Sequence, residues 1–234
     1  MKIVLAVLLF FISIKAMAQP PTPDYTTTSI ESSKSWTDVD YVGDGTTGHF
    51  LDVHLPGTGK APYPVVVCIY GSAWFSNNLK GATFTTGLGQ RLLKEGFAVV
   101  TINYSSSSDA KFPAQVQDVK AAIRFIRGNS TAFSLDTNFI GITGWSSGGH
   151  LATLAGTTNN LKTTTVNGLN IDIEGNLGKF TNQSSSINAV VDWFGPTDFL
   201  TMDSCGSSFS HNDVKSPESS LVGGAIQETK TRLL

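Results

Sequence analysis

The sequence predicts an α/β fold, a mostly parallel sheet with helices on both faces. Three observations carry this. Val65 to Ile69 and Phe97 to Tyr104 are nearly continuous apolar runs, the pattern of strands buried on both sides. Val116, Val119, Ile123 and Ile126 recur at helical spacing between Pro113 and Gly128. Strand and helix then alternate through the middle of the chain, which is the order of a parallel sheet whose ligand sites lie at the carboxyl ends of its strands.

Each element follows from local pattern. Met1-Lys2 is a basic start, Ile3 to Ile14 is apolar, and Ala16-Met17-Ala18 is a small-x-small site before Gln19. Residues 1–18 are therefore expected to be a cleaved secretory signal, since the run is well short of the roughly 20 apolar residues that span a bilayer. The mature chain is then expected to be secreted or periplasmic, with no membrane attachment. Residues 19–48 are expected to form an N-terminal arm, Pro/Thr/Ser-rich at its beginning. Phe50, Val53 and Leu55, with Asp52 and His54 between them, read as an early edge strand, and Gly87 to Glu95 as a short helix stopped by Gly96. Phe139 to Thr143 is a strand, followed by a Gly-rich turn and the apolar helix His150 to Ala155. Ile187 to Phe194 is one more strand. Residues 49–234 thus form one domain, with 157–186 and 199–217 expected as excursions or a lid over the active face.

Composition narrows the function. Lys and Arg number 16 against 18 Asp and Glu, and only 15% of residues are charged, so nothing tracks a phosphate backbone and nucleic acid is not an expected partner. Cys68 sits inside an apolar run and Cys205 in a Ser-rich loop, so no bridge is expected. No metal or redox pair and no cofactor is indicated.

The chemistry lies in Gly144-Trp145-Ser146-Ser147-Gly148, directly after a strand and before a helix. This is the context of a nucleophile elbow. A serine on so sharp a turn needs glycine on both sides to let strand and helix approach, and the helix N-terminus supplies positive potential where an oxyanion forms. A second segment, Ile69-Tyr70-Gly71-Ser72-Ala73-Trp74, ends an earlier strand. Its small residues leave backbone open to a carbonyl, so the N–H groups of Ser72, Ala73 and Ser147 are the expected oxyanion donors. Trp74 and Trp145 are candidates for the substrate pocket, with Trp193 to be located. His150 reads as a structural hydrogen-bonding histidine, Asp118 and Arg124 as surface or loop-tethering groups, and Asp192 and Asp198 as residues shaping the site. His49 and His54 are placed on the early edge strand, far from the carboxyl ends.

Taken together, these segments resemble the α/β-hydrolase esterases of the lipase, carboxylesterase and feruloyl or acetyl-xylan esterase group. The resemblance runs from Leu51 to about Glu228 and includes "LDVHLPG", "PYPVVVCIYGSAWFSNN", "FPAQVQDVKAAIRFIR", "GWSSGGHLA", "AVVDWFGPTDF" and "SPESSLVGG". Tyr70 and Ser72 stand where the family's H-G-G-x-W motif has His and Gly. The resemblance implies a carboxylic ester hydrolase acting on small-molecule or carbohydrate esters. It also implies a triad in the order Ser, acid, His, with acid and base downstream of "SPESSLVGG", where this chain has neither. The expectation is a fragment lacking the last two strands and catalytically crippled. Asp198 and His211, both in one polar loop, are the internal candidates for acid and base. The alternatives are a serine peptidase on the same fold, whose common propeller domain this length excludes, and a binding chain that keeps the pocket without the triad.

Overall fold

A computed structural model describes residues 30–166, 168–206 and 210–229. The expected signal at 1–18 lies outside them. In chain order the elements are β1 (Lys34–Asp40), β2 (Phe50–Leu55), β3 (Tyr63–Ile69), α1 (Ala82–Thr85), α2 (Leu88–Lys94), β4 (Ala98–Ile102) and α3 (Ala114–Gly128). They continue as β5 (Leu135–Trp145), α4 (Ser147–Thr157), β6 (Thr163–Val166), β7 (Leu169–Asp172), β8 (Ala189–Trp193) and α5 (Pro217–Val222). Short 3-10 turns occupy Thr47–His49 and Met202–Cys205.

Six strands form one sheet in the order β1-β2-β4-β3-β5-β8, in which β4, β3, β5 and β8 are parallel and β2 runs antiparallel to both its neighbours, β1 and β4. The run Val65 to Ile69 is central, and its alternate residues serve two faces. Val65, Val67 and Ile69 join the main core beneath α3 and α4, whereas Cys68 packs with Val99 and Leu93 of α2. Burial drives the Cys68 thiol up to about 12, so it is an inert core group. In α3, Val116, Val119, Ile123 and Ile126 are buried as their spacing requires.

The structure departs from the sequence expectation at the arm and adds detail in the excursions. Part of the presumed arm is β1, the first strand of the sheet; a bulge between Trp36 and Val39, with Asp38 at φ 52°, breaks the alternation by which a strand is recognised. Among its described residues, the excursion 157–186 carries the hairpin β6–β7 and is fastened to α3, where Gln117 Nε2 donates to the Asp172 carbonyl at 2.8 Å. It is held there because Lys120 and Arg124 are buried on α3 and require a carboxylate, which Glu174 supplies to both. Lys120 Nζ also donates to the Thr158 carbonyl at 2.9 Å, and Arg124 to the Leu177 carbonyl at 3.3 Å. Arg124 and Asp118 are therefore both loop tethers and neither is a surface group: Asp118, 1% exposed, accepts from Ser105 N–H in the loop after β4 at 2.7 Å. At the start of the second expected excursion, Phe199 packs on Trp74 and His150. The α5 end of this region docks on the loop before α3, where Phe112 N–H donates to the Leu221 carbonyl at 3.0 Å.

Among the described residues β8 pairs only with β5, and Val190, Val191, Trp193 and the following Phe194 are 39%, 50%, 49% and 78% exposed. A run composed for burial on both faces presents a bare apolar edge.

Candidate functional site

β5 delivers the chain to Ser146 and α4 leaves from it. Ser146 sits at φ 55°, ψ −127°, a backbone conformation that a side chain adopts only where the surroundings force it. The forcing elements are glycines. A Cβ on Gly144 would overlap the Gly148 backbone, one on Gly148 the carbonyls of Ile69 and Tyr70, and one on Gly71 the Trp145 carbonyl and the Ser146 side chain. Both glycines flanking Ser146 thus have the close-approach role their spacing suggested, and Gly71 brings the loop after β3 against the elbow. The turn is further pinned by Ser146 N–H donating to the Trp193 carbonyl at 3.0 Å.

The loop after β3 carries Ala73 at φ 52° and Trp74 at φ 59°, consecutive left-handed residues that turn the chain sharply beside the N-terminus of α4, where Ser72 N–H reaches Ser147. Of the three expected donors, the N–H groups of Ala73 and Ser147 make no hydrogen bond among the described residues. That of Ser72 donates to the Ser147 hydroxyl at 2.8 Å and is already engaged. Trp74 is 1% exposed, closed in by His150 and Phe199, so it is a wall beneath the loop instead of an open pocket surface. Trp145 is half-buried against the core, and Trp193 lies at the bare edge with its indole N–H donating to Thr143 Oγ1 at 3.1 Å. The three tryptophans do not form one pocket. A cavity of about 220 Å³ does lie beside the elbow helix, lined by His150, Thr153, Leu154, Thr157, Pro196 and Thr197.

The sequence has four histidines, and among the described residues no hydrogen bond joins one of them to the Ser146 hydroxyl. His150 is enclosed with Trp74 and Phe199, its Nδ1 has no hydrogen-bond partner, and burial pushes it down to about 4. It is a buried ring packed edge-on against Trp74 and tilted against Phe199, and its Nδ1 does not make the hydrogen bond its helix position suggested. His54 shares a 2.8 Å hydrogen bond with Ser35 Oγ and packs on Phe84. His211 pairs with Glu218 at 3.1 Å, while Asp198 Oδ1 accepts from Leu200 N–H at 3.2 Å. The expected internal acid and base are therefore not brought together. Asp192 does shape the loop after β8, accepting from Gly195 N–H at 2.8 Å and Thr153 Oγ1 at 3.1 Å.

His49 was misplaced by sequence reasoning. Because β2 runs antiparallel to β4, with Leu51 opposite Ile102, the start of β2 lies at the carboxyl end of β4. There His49 Nδ1 meets Asp44 at 2.9 Å and Nε2 meets Asp118 at 3.3 Å, and the other Asp118 oxygen accepts from Ser105 N–H at 2.7 Å. Burial opposes its charge, but the Asp118 and Asp44 carboxylates outweigh that and raise its pKa. Strand direction was the missing information. Among the described residues no cluster of His, Cys, Asp and Glu could hold a metal ion.

Known proteins share this arrangement. The bifunctional GH43-CE protein of Bacteroides eggerthii is 52% identical with a TM-score of 0.79, over 85% of this chain and 25% of its own. A truncated carbohydrate esterase from gut microbiota is 44% identical with a TM-score of 0.79, over 88% of this chain and 74% of its own. Esterase LipQ of Mycobacterium tuberculosis is 40% identical over 92 residues, which are 39% of this chain and 21% of that protein. The chain thus spans about a fifth of this curated relative. The fold is that of the α/β-hydrolases, and the BD-FAE family model matches residues 51–233, so the chain belongs to the BD-FAE family.

Proposed function

We propose that this chain carries the nucleophile and oxyanion half of a secreted carboxylic ester hydrolase acting on small acyl or carbohydrate-linked esters. Ser146 is the nucleophile: its Oγ attacks the ester carbonyl carbon, the carbonyl oxygen takes the negative charge, and the alcohol leaves to give an acyl-serine that water hydrolyses. The observation that supports this best is Ser146 at positive φ, with Gly71, Gly144 and Gly148 packed so closely that its surroundings admit no Cβ. The carbohydrate-ester part rests on the likeness to the gut carbohydrate esterase.

The attack also needs a base for the hydroxyl proton, and the four histidines of the sequence are engaged or enclosed elsewhere. In a well-studied protease, losing the base or nucleophile costs about a million-fold, and roughly 10³ to 10⁴ over water remains from the oxyanion hole and binding. These 234 residues by themselves are therefore proposed to turn over esters only at that residual level. The same absence favours a second reading, a chain that binds esters without hydrolysing them. Peptide mass spectrometry after reaction with p-nitrophenyl acetate separates the two, because the residual turnover left by the oxyanion site does not itself need the hydroxyl. An acetyl group on Ser146, absent from Ser146→Ala, supports the first reading, and an unacetylated Ser146 supports the second.

A further inference from the structure

Resting on the reading of Ser146 as nucleophile, we infer that the oxyanion site of this chain is a two-donor site, made by the N–H groups of Ala73 and Ser147. The Ser147 hydroxyl, held by Tyr104, keeps the third amide out of it. The hydrogen bonds allow one consistent assignment. Tyr104 has a single hydroxyl proton, and the Tyr70 carbonyl at 3.1 Å can only accept it. The Ser72 and Ser147 hydroxyls, each 3.2 Å from the Tyr104 oxygen, must then donate to it. With its proton so directed, Ser147 Oγ has lone pairs free, and the Ser72 N–H donates to one of them at 2.8 Å. Ser72 Oγ in turn accepts from Ser76 N–H at 3.3 Å.

Every member of this network is satisfied, and it lies almost wholly out of water: Tyr104 is 0% and Ser147 1% exposed. Tyr104 is stacked on Tyr70 with ring centroids 4.7 Å apart, which fixes the position of its hydroxyl. A satisfied buried network of this kind holds its members in one geometry. It joins the loop after β3 to the first residue of α4, the two segments that must face each other across an oxyanion. Ser147 therefore has divided roles, its backbone a donor to substrate and its side chain an acceptor that fixes the opposite loop. Tyr104 touches no substrate and is a positioning residue.

The test is the amide spectrum of the ¹⁵N-labelled chain before and after prolonged reaction with an alkyl phosphonofluoridate, whose phosphoryl oxygen occupies the oxyanion site once Ser146 is modified. In the unmutated chain the Ala73 and Ser147 amide protons move downfield and that of Ser72 does not. In Ser147→Ala, which removes the competing acceptor, the Ser72 amide joins the other two. Tyr104→Phe lowers the maximal rate of phosphonylation about tenfold, less than the 10² to 10³ that follows loss of a whole oxyanion donor, and leaves the inhibitor's half-saturating concentration unchanged. A merely structural tyrosine would change the melting temperature without this split. A Ser72 amide that moves with the others in the unmutated chain overturns the two-donor assignment while leaving Ser146 as nucleophile. Failure of Ser146 to form an adduct overturns the nucleophile reading and the inference with it.

Discussion

Acidification tests the enclosure of His150. This imidazole packs in one cluster with Trp74 and Phe199 with 6% of its surface exposed, and burial moves it from 6.5 to about 4. The unfolded chain takes up the proton near 6.5 while the folded chain resists it, so the unfolded state binds more protons and stability rises with pH across that interval. The contribution is whole above pH 6.5 and is lost as the pH falls toward 4. At about 1.4 kcal/mol per pH unit, the loss is about 3 kcal/mol. The perturbation is His150→Phe, which keeps an aromatic ring against Trp74 and Phe199 and does not titrate. Urea unfolding at pH 7 and at pH 4 gives the stability change for each chain. The unmutated chain should lose about 3 kcal/mol more than the variant over that interval. His49 acts in the opposite sense: its raised pKa gives stability present below its unfolded value and lost as pH rises through the folded one, and it cancels between the two chains. Equal losses in both chains would refute the enclosure argument.

Two further outcomes follow from the packing. Glu174→Ala leaves Lys120 and Arg124 buried on α3 without a carboxylate, and should destabilise the chain by about 3 kcal/mol, toward the low end for a broken buried pair because backbone carbonyls still accept from both cations. Denaturant unfolding beside Lys120→Met/Glu174→Ala checks this, the double change recovering part of the loss. The bare edge of β8 predicts concentration-dependent association, and Val191→Lys, at a residue already 50% exposed, should lower the associated fraction in sedimentation without changing far-ultraviolet circular dichroism.

Much of the fold is legible where one residue's neighbours in sequence decide its environment. The runs of β3 and β4 read as buried strands because both faces of the sheet are covered there and alternate side chains enter two separate cores. The elbow is legible for a related reason, since a turn so tight admits only glycine at Gly144 and Gly148. What escaped depends on long-range pairing. Lys120 and Arg124 look like the polar side of an amphipathic helix until Glu174, 50 residues beyond Arg124, arrives to neutralise them. His49 sits at the right end of the sheet only because β2 is antiparallel, which no local pattern states. The commitment of the Ser72 amide depends on a hydroxyl 75 residues away, at a position where any small residue would have satisfied the elbow.

The central claim is that Ser146 is the nucleophile. The most direct measurement is intact-protein and peptide mass spectrometry after prolonged incubation with excess phosphonofluoridate. The account predicts one phosphonyl group per chain on the peptide containing Ser146, formed slowly, and none on Ser146→Ala. An unmodified Ser146, or an adduct that persists in the alanine variant, would contradict it.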